Sequence, residues 1–282
     1  MKIGIVGYGF VGKAVDYGFK RNIEKIIIDP KLDTSISNLK SHNPEFIFIC
    51  VPTPMNLDGD QDSSIIEKVL AEINKDYSES VVIVKSTVLP SIIEKLSKSH
   101  KHFVYNPEFL REKTANEDFV NASSLILGGE PDDLKRVAEL YNNHSDCKIV
   151  EVHETDVISA SLVKYSINTF LASKVIFFNQ LYDIYKALTP DIKWDEFITM
   201  INSDKRIGES HMDVPGHDGR LGFGGACFPK DTAALLSLSK DIDKEFSLLK
   251  EVIRINNNIR MQYNELDERE KEQGVNYKID LE

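Results

Sequence analysis

Six short apolar runs punctuate the first 150 residues, and their alternation with amphipathic segments constrains the fold more than any other feature. "KIGIV" (2–6), "KIIID" (25–29), "FIFICV" (46–51), "VVIVK" (81–85), "HFVYN" (102–106) and "SLILGG" (124–129) are continuously apolar rather than alternating, as strands buried on both faces are. Between several of them lie segments of helical period, the clearest being "DSSIIEKVLAEINKD" (62–76), with Asp or Ser capping before Ile65. Strand–helix alternation with doubly buried strands predicts a parallel, doubly wound α/β sheet.

The turn after the first strand narrows this further. "VGYGFVG" sets Gly7, Gly9 and Gly12 in GxGxxG spacing between a strand and a helix. Gly7 suits a tight turn, Gly9 lets backbone approach a pyrophosphate, and Gly12 allows close helix–strand packing. The second strand ends in Asp29, a carboxylate placed to accept from a ribose 2′-hydroxyl and to repel a 2′-phosphate. The carboxylate favours NAD over NADP, and the Lys31 charge nearby works against that preference. The first 152 residues therefore read as a Rossmann-like dinucleotide-binding domain.

From Glu154 to Leu188 the chain has neither Pro nor Gly and is apolar nearly all round. A helix of that kind needs burial on more than one side, as the centre of a helical domain or as a subunit interface. Residues 153–282 are expected to form an all-helical domain on this long helix, and its apolar surface predicts a homodimer. "DEFITMINSD" (195–204) reads as a short helix, residues 204–225 as a long loop, and "KEFSLLKEVIRINNNIRMQYNELDEREKEQG" as one helix ending at Gly274. A loop of that length is uncommon unless functional.

Charge excludes several classes. The 34 Lys and Arg against 45 Asp and Glu, a net of −11, carry no basic footprint for nucleic acid or a membrane surface. No run reaches the roughly 18 apolar residues of a membrane span. The opening "MKIGIVGYGFVGKAV" is broken by glycines and followed by Lys13, Asp16 and Lys20, unlike an export signal. Cys50, Cys147 and Cys227 include no CxxC pair, which argues against a disulfide framework or a metal site. A soluble protein of a reduced, cytoplasmic compartment is expected.

Ligands of doubly wound sheets bind beyond the strand C-termini, where "CVPTP" (50–54), "KSTVLP" (85–90) and "NPEFLRE" (106–112) fall. Cys50 and Cys147 read as small core residues. Thr87 either reaches a nicotinamide or a water, or caps the following helix. Glu108 and Glu112 point the same way if Pro107 opens a helical turn; otherwise they belong to a solvated acidic loop. Lys164 and Asn168, four apart on the long helix, form either an oxyanion-stabilising pair or part of an exposed stripe, Asn179 and Gln180 being wet positions of the same helix. In "GFGGACFPKD" (222–231), Cys227 is either a small turn residue or a nucleophile. Gly224, Gly225 and Ala226 leave little bulk before it, and Pro229 opens a helix whose N-terminal dipole favours a thiolate. Lys230 and Asp231 lie in the first turn. A thiolate beside NAD suits oxidation of an alcohol through aldehyde, thiohemiacetal and thioester to a carboxylate.

The glycine fingerprint, "CVPTP", "KSTV", "NPEFLRE", "KYSINTFLASKVIFFNQ" and "GFGGACFPKD", in this order, resemble the UDP-glucose 6-dehydrogenase family of nucleotide-sugar dehydrogenases. The resemblance implies Cys227 as nucleophile, Lys164 and Asn168 on the oxyanion, Asp231 and Thr87 positioning water, and Glu108 as base for thioester hydrolysis. It implies NAD contacts from Gly7, Tyr8, Gly9, Phe10, Val11, Gly12, Asp29, Lys31, Val51, Pro52, Thr53, Ser86, Thr87, Glu112 and Lys230. It implies a nucleotide-sugar substrate, most directly UDP-glucose, held through Glu108, Phe109, Leu110, Arg111, Lys164, Asn168, Phe223 and Gly224. Arg206 would reach a neighbouring subunit's substrate. His211, His217 and Arg220 either meet a diphosphate or face solvent. Members of the family continue into a third domain that holds much of the uridine diphosphate, and this chain is expected to be a short form without it. Two other readings are a two-electron dehydrogenase of the 3-hydroxyacid and 6-phosphogluconate type, and a non-catalytic NAD-binding regulatory subunit.

Overall fold

The computed structural model describes residues 1–20 and 22–281. The elements in chain order are β1 (Lys2–Val6), α1 (Phe10–Gly18), β2 (Glu24–Ile28), α2 (Leu39–His42), β3 (Phe46–Ile49), α3 (Ser64–Asp76), β4 (Val81–Val84), α4 (Pro90–Ser97), β5 (Phe103–Tyr105), α5 (Ala115–Val120), β6 (Ser124–Gly129), α6 (Pro131–His144), β7 (Glu151–Thr155), α7 (Val157–Leu188), α8 (Trp194–Asn202), α9 (Phe228–Asp241), α10 (Ser247–Arg260) and α11 (Glu268–Glu272). They fold as two compact units, residues 1–53 with 62–164 and residues 54–61 with 165–282.

The first unit is a seven-stranded sheet of order β2-β1-β3-β4-β5-β6-β7. The six expected strands all form. Period-two alternation sends Ile3, Ile5, Phe46, Phe48, Val81 and Ile83 to one core, packed under α1, α5 and α6. Val6, Ile47, Ile49, Val82 and Val84 face the other, against α3 and α4. The sheet departs from the all-parallel expectation at β6, which pairs antiparallel with β5 through Val104↔Gly129 and Tyr105↔Gly128. The segment after β5 ends in the short α5 beside α1, where a Cβ on Gly18 would lie 2.3 Å from Phe119 Cε1, so β6 starts beyond the end at which β5 leaves.

A seventh strand, β7, covers residues 151–155 and runs parallel to β6. Glu154 and Thr155 therefore belong to a strand rather than to the long helix, which starts at Val157. The first turns of α7 also pack on the sheet. Ala160 lies in its core, a Cβ on Gly128 would come within 2.8 Å of Ala160 Cβ, and Ser161 Oγ donates to Val88 O at 2.6 Å.

The second unit is helical. Phe178, Trp194, Ile198, Met212 and Val214 form one core, with the Trp194 ring 4.9 Å from Tyr182 and 5.2 Å from Tyr185. Ala172, Ile176, Phe223 and Val252 form another. The expected helix through Gly274 is instead two. α10 stops at Arg260, whose buried guanidinium is tied to Asp218 and Glu270, and α11 starts anew from a capping box on Asp267. The following segment packs against residues 54–61. Met55 N donates to Gln273 O at 2.8 Å and Asn276 Nδ2 to Leu57 O at 3.0 Å.

Candidate active site

The β1–α1 turn has the shape its glycines require. Gly7 sits at φ +90°, and a Cβ there would lie 2.6 Å from Cys50 O. A Cβ on Gly12 would lie 2.0 Å from Gly7 O, so helix and turn touch only because neither carries a side chain. At Gly9 the opposite holds: nothing comes within 4 Å. Gly9 is also the N-cap of α1 without a side-chain cap, which leaves first-turn amides facing that open space. These residues fit a dinucleotide pyrophosphate. Asp29 closes β2 and accepts from Tyr8 N at 2.7 Å and Lys31 N at 2.8 Å, so its carboxylate is held against the glycine turn with acceptor capacity to spare.

Beyond β3 and β4, Ser86 Oγ donates to Val51 O at 2.7 Å and Thr53 Oγ1 to Thr87 O at 2.7 Å. Ser86, Thr87 and Thr53 are buried and Pro52 is exposed. Cys50 is half-buried as a residue, and desolvation of its thiol pushes it up to about 12, against the pull of Lys85. That chemistry suits a packing residue, not a nucleophile. Cys147 is likewise raised, chiefly by burial.

Glu108 and Glu112 do not share a face. Residues 106–111 are irregular, Glu108 is buried, and Glu112 opens an exposed 3₁₀ turn. The Glu108 carboxylate accepts from Leu110 N at 2.6 Å and faces Lys164 Nζ at 3.4 Å, and the same ammonium donates to Glu108 O. Lys164 and Glu108 are 3% and 6% exposed, so Lys164 belongs to a buried pair rather than a wet stripe. Arg111 is committed to Asp118 through Nη2 at 2.7 Å and Nε at 3.1 Å, which leaves the backbone and Phe109 as its segment's outward groups.

Sequence reasoning gave no role to Lys85, which closes the fourth apolar run and opens "KSTVLP". It is 3% exposed and donates to Asn106 O at 3.2 Å and Oδ1 at 3.0 Å. Asn106 in turn accepts from Tyr141 Oη and donates to Ile126 O. This network braces the base of the segment that carries Glu108. Burial pulls Lys85 down to about 8.

In the second unit Cys227 is the half-buried N-cap of α9, with Pro229 in the first turn. Asp231, fully buried, accepts from Lys230 Nζ at 2.6 Å and from Asn168 Nδ2 at 2.6 Å, and its amide donates to Cys227 O at 2.9 Å. Cys227, Asp231, Lys230 and Asn168 are thus brought together. Lys230, expected at the cofactor, spends its charge on Asp231. Elsewhere, Arg206 is exposed and paired with Asp204, and Arg220 donates to Glu265 O at 2.9 Å.

The loop before Cys227 is held by side chains rather than by backbone ladders. Leu221 N donates to Tyr263 Oη at 2.8 Å, Gly222 N to Asn179 Oδ1 at 2.9 Å, Phe223 N to Asn256 Oδ1 at 2.7 Å and Gly225 N to Glu270 Oε1 at 3.2 Å. Asn179 is therefore no wet position; it is 5% exposed, whereas Gln180 is exposed as expected. Among the described residues no cluster of His, Cys, Asp and Glu could hold a metal, and no helix is long and apolar enough to cross a membrane.

A glycine turn shaped for a pyrophosphate in one unit, and a thiol-bearing helix N-terminus in the other, define a nucleotide-binding α/β protein with a helical second unit. The chain belongs to the UDP-glucose/GDP-mannose dehydrogenase family: residues 18–145 match its NAD binding domain and residues 158–258 its central domain. The first unit is thus the family's NAD-binding domain. The UDP-glucose 6-dehydrogenase of Rickettsia bellii (strain RML369-C) is 36% identical over 236 residues, 79% of this chain and 51% of that protein. The UDP-glucose 6-dehydrogenase YwqF of Bacillus subtilis (strain 168) is 30% identical over 253 residues, 86% of this chain and 55% of that one. Among solved structures, a UDP-glucose dehydrogenase from the archaeon Pyrobaculum islandicum matches with a TM-score of 0.75 at 25% identity, over 91% of this chain and 68% of that one. The chain spans about half the length of the curated relatives it matches.

Proposed function

We propose that this chain oxidises the primary alcohol of a nucleotide sugar to a carboxylate in two NAD-dependent steps, with UDP-glucose to UDP-glucuronate as the first candidate. The observation that carries the reading is Cys227 at the N-cap of α9, with Asp231, Lys230 and Asn168 gathered at that helix end. A two-electron oxidation has no use for a thiol placed there. The turn at Gly7, Gly9 and Gly12, with Asp29 beside it, would hold NAD+, which supplies hydride acceptance in each step.

The chain's own groups supply the rest. The Cys227 thiolate, favoured by the helix N-terminus, adds to the aldehyde carbon; the C=O pair moves onto oxygen and takes a proton, giving a thiohemiacetal. Loss of a hydride and a proton from that adduct leaves a thioester. Lys164 and Asn168 stabilise the oxyanions. Asp231 and Thr87 orient the water that cleaves the thioester, and Glu108 takes its proton, returning Cys227 and a carboxylate product.

The oligomer is proposed as a homodimer. Phe170, Phe177 and Ile184 recur every seventh residue along α7 and are 67%, 61% and 58% exposed, a stripe suited to a second copy. A reduced cytoplasmic setting fits a thiol nucleophile. The test is NADH release on mixing the protein with NAD+ and a panel of UDP- and GDP-sugars, beside Cys227→Ser. Two NADH per sugar, with the variant stalled after the first, is the expected result. One NADH per sugar would move the two-electron reading ahead, and none would favour a regulatory subunit.

A further inference from the structure

Glu270 is fully buried, yet it lies on a short polar helix far along the chain from Cys227. Both of its oxygens are used. Oε2 accepts from Asp267 N at 2.9 Å, while Oε1 accepts from Arg260 Nη2 at 2.7 Å, Tyr277 Oη at 2.6 Å and Gly225 N at 3.2 Å. Arg260 is 2% exposed and reaches Asp218 Oδ2 with its other terminal nitrogen at 2.7 Å, so the same ion-pair chain grips the loop at residue 218 and at residue 225.

The glycines record how close this grip is. A Cβ on Gly224 would lie 2.2 Å from Arg260 Nη2 and 2.4 Å from Glu270 Oε1. Gly225 stands at φ +79°, a left-handed conformation that favours glycine. A buried ion pair is weak evidence of a stabilising role, because apolar groups of similar volume often do as well or better. Apolar groups at 260 and 270 would, however, leave the Gly225 N–H without an acceptor two residues before Cys227.

We propose that Glu270 is a positioning residue for the reaction: through the Gly225 amide it sets the backbone turn that delivers Cys227 to the N-terminus of α9. This rests on Cys227 being the reacting thiol, and deepens that reading by adding a carboxylate that never touches substrate. The Arg260 charge neutralises it, the Tyr277 hydroxyl and the Asp267 capping box orient it, and Gly225 receives its effect.

The experiment reads Cys227 directly. The rate of iodoacetamide alkylation at Cys227 is measured against pH by peptide mass spectrometry, with alkylation of the packed Cys50 reporting any unfolding, in wild type, Glu270→Gln, Glu270→Leu and the double variant Arg260→Leu with Glu270→Leu. Gln keeps a carbonyl oxygen for Gly225 and loses the charge and the acceptor for Asp267 N, so its Cys227 profile should stay within about twofold of wild type. Both Leu variants should alkylate Cys227 about tenfold more slowly near neutral pH, with the profile moved to higher pH. The double variant removes both members of the fully buried Arg260–Glu270 pair and frees only the part-exposed Asp218 carboxylate, so it keeps the test intact if Glu270→Leu alone does not fold. Wild-type profiles in the Leu variants would overturn the proposal. So would equal losses in Gln and Leu, which would make Glu270 only a charge partner of Arg260. Because alkylation needs no substrate, this outcome is independent of whether any sugar releases NADH.

Discussion

Replacing Lys85 with Met should reverse the sign of its effect between neutral and alkaline pH. Desolvation dominates at this 3% exposed ammonium and lowers it from 10.5 to about 8, with Cys50, Glu108 and Cys147 raising it and Lys164 opposing them. For a lysine depressed in the fold, the unfolded chain binds more protons at every pH between the two values, so stability rises with pH across that window. Near pH 7 the group is charged in both states, and the depression from 10.5 to about 8 amounts to a penalty of about 3 kcal/mol. Near pH 9.5 the folded lysine is mostly neutral and the penalty falls to about 1 kcal/mol. Against this, Met forfeits two hydrogen bonds to Asn106, together about 2 kcal/mol.

Lys85→Met should therefore be more stable than wild type by about 1 kcal/mol near pH 7 and less stable by about the same near pH 9.5. Urea titrations at both pH values, followed by far-UV circular dichroism, read the difference. Fluorescence of the single tryptophan, Trp194, marks the second unit's transition separately. Other groups titrate in this range too, and those not coupled to Lys85 are common to both proteins and cancel in the comparison. A wild-type-minus-variant difference that does not move with pH would refute the reasoning, because it would mean that folding leaves the protonation of Lys85 unchanged.

Asn179→Ala should cost about 1–3 kcal/mol in the same assay, since it strips the acceptor from the buried Gly222 amide, whereas Ala at exposed Gln180 should stay within about 0.5 kcal/mol. Phe177→Glu should convert the proposed dimer to monomer in size-exclusion chromatography with light scattering, because a Phe buried between copies would contribute about 1.5–3 kcal/mol per copy and a charge there opposes docking. An unchanged dimer would place the interface elsewhere.

What could be read from the chain in advance follows the range of the interactions. All six expected strands form because continuous apolar runs report burial on both faces, a property of neighbours in sequence. The β1–α1 glycines and the start of α9 were legible for the same reason, since helix caps and tight turns are short-range. The antiparallel entry of β6 was not, because nothing in "SLILGG" records where the preceding segment returns. Nor was β7, whose "EVHET" is polar and largely exposed at the sheet edge, so it lacks the apolar signal that marked the others. Glu112 shares a face with Glu108 only if Pro107 opens a helical turn, and the irregular backbone after Asn106 does not meet that condition.

The residues that hold the loop before Cys227 show the same limit more sharply. Each of Asn179, Asn256, Tyr263 and Glu270 sits in an ordinary helical or turn context, and its sequence neighbours give no hint that its oxygen meets an amide of residues 221–225. A polar side chain on an apolar helix reads as a wet position by default, which is how Asn179 reads before the fold is known. The default fails when a glycine-rich loop, unable to join a ladder, must still satisfy its buried N–H groups. Such a loop draws its acceptors from whatever elements surround it. A glycine-rich segment ahead of a proposed nucleophile is therefore itself a signal that buried Asn, Tyr or Glu oxygens exist elsewhere in the chain. Their identities emerge only when the packing of α7, α10 and α11 is known.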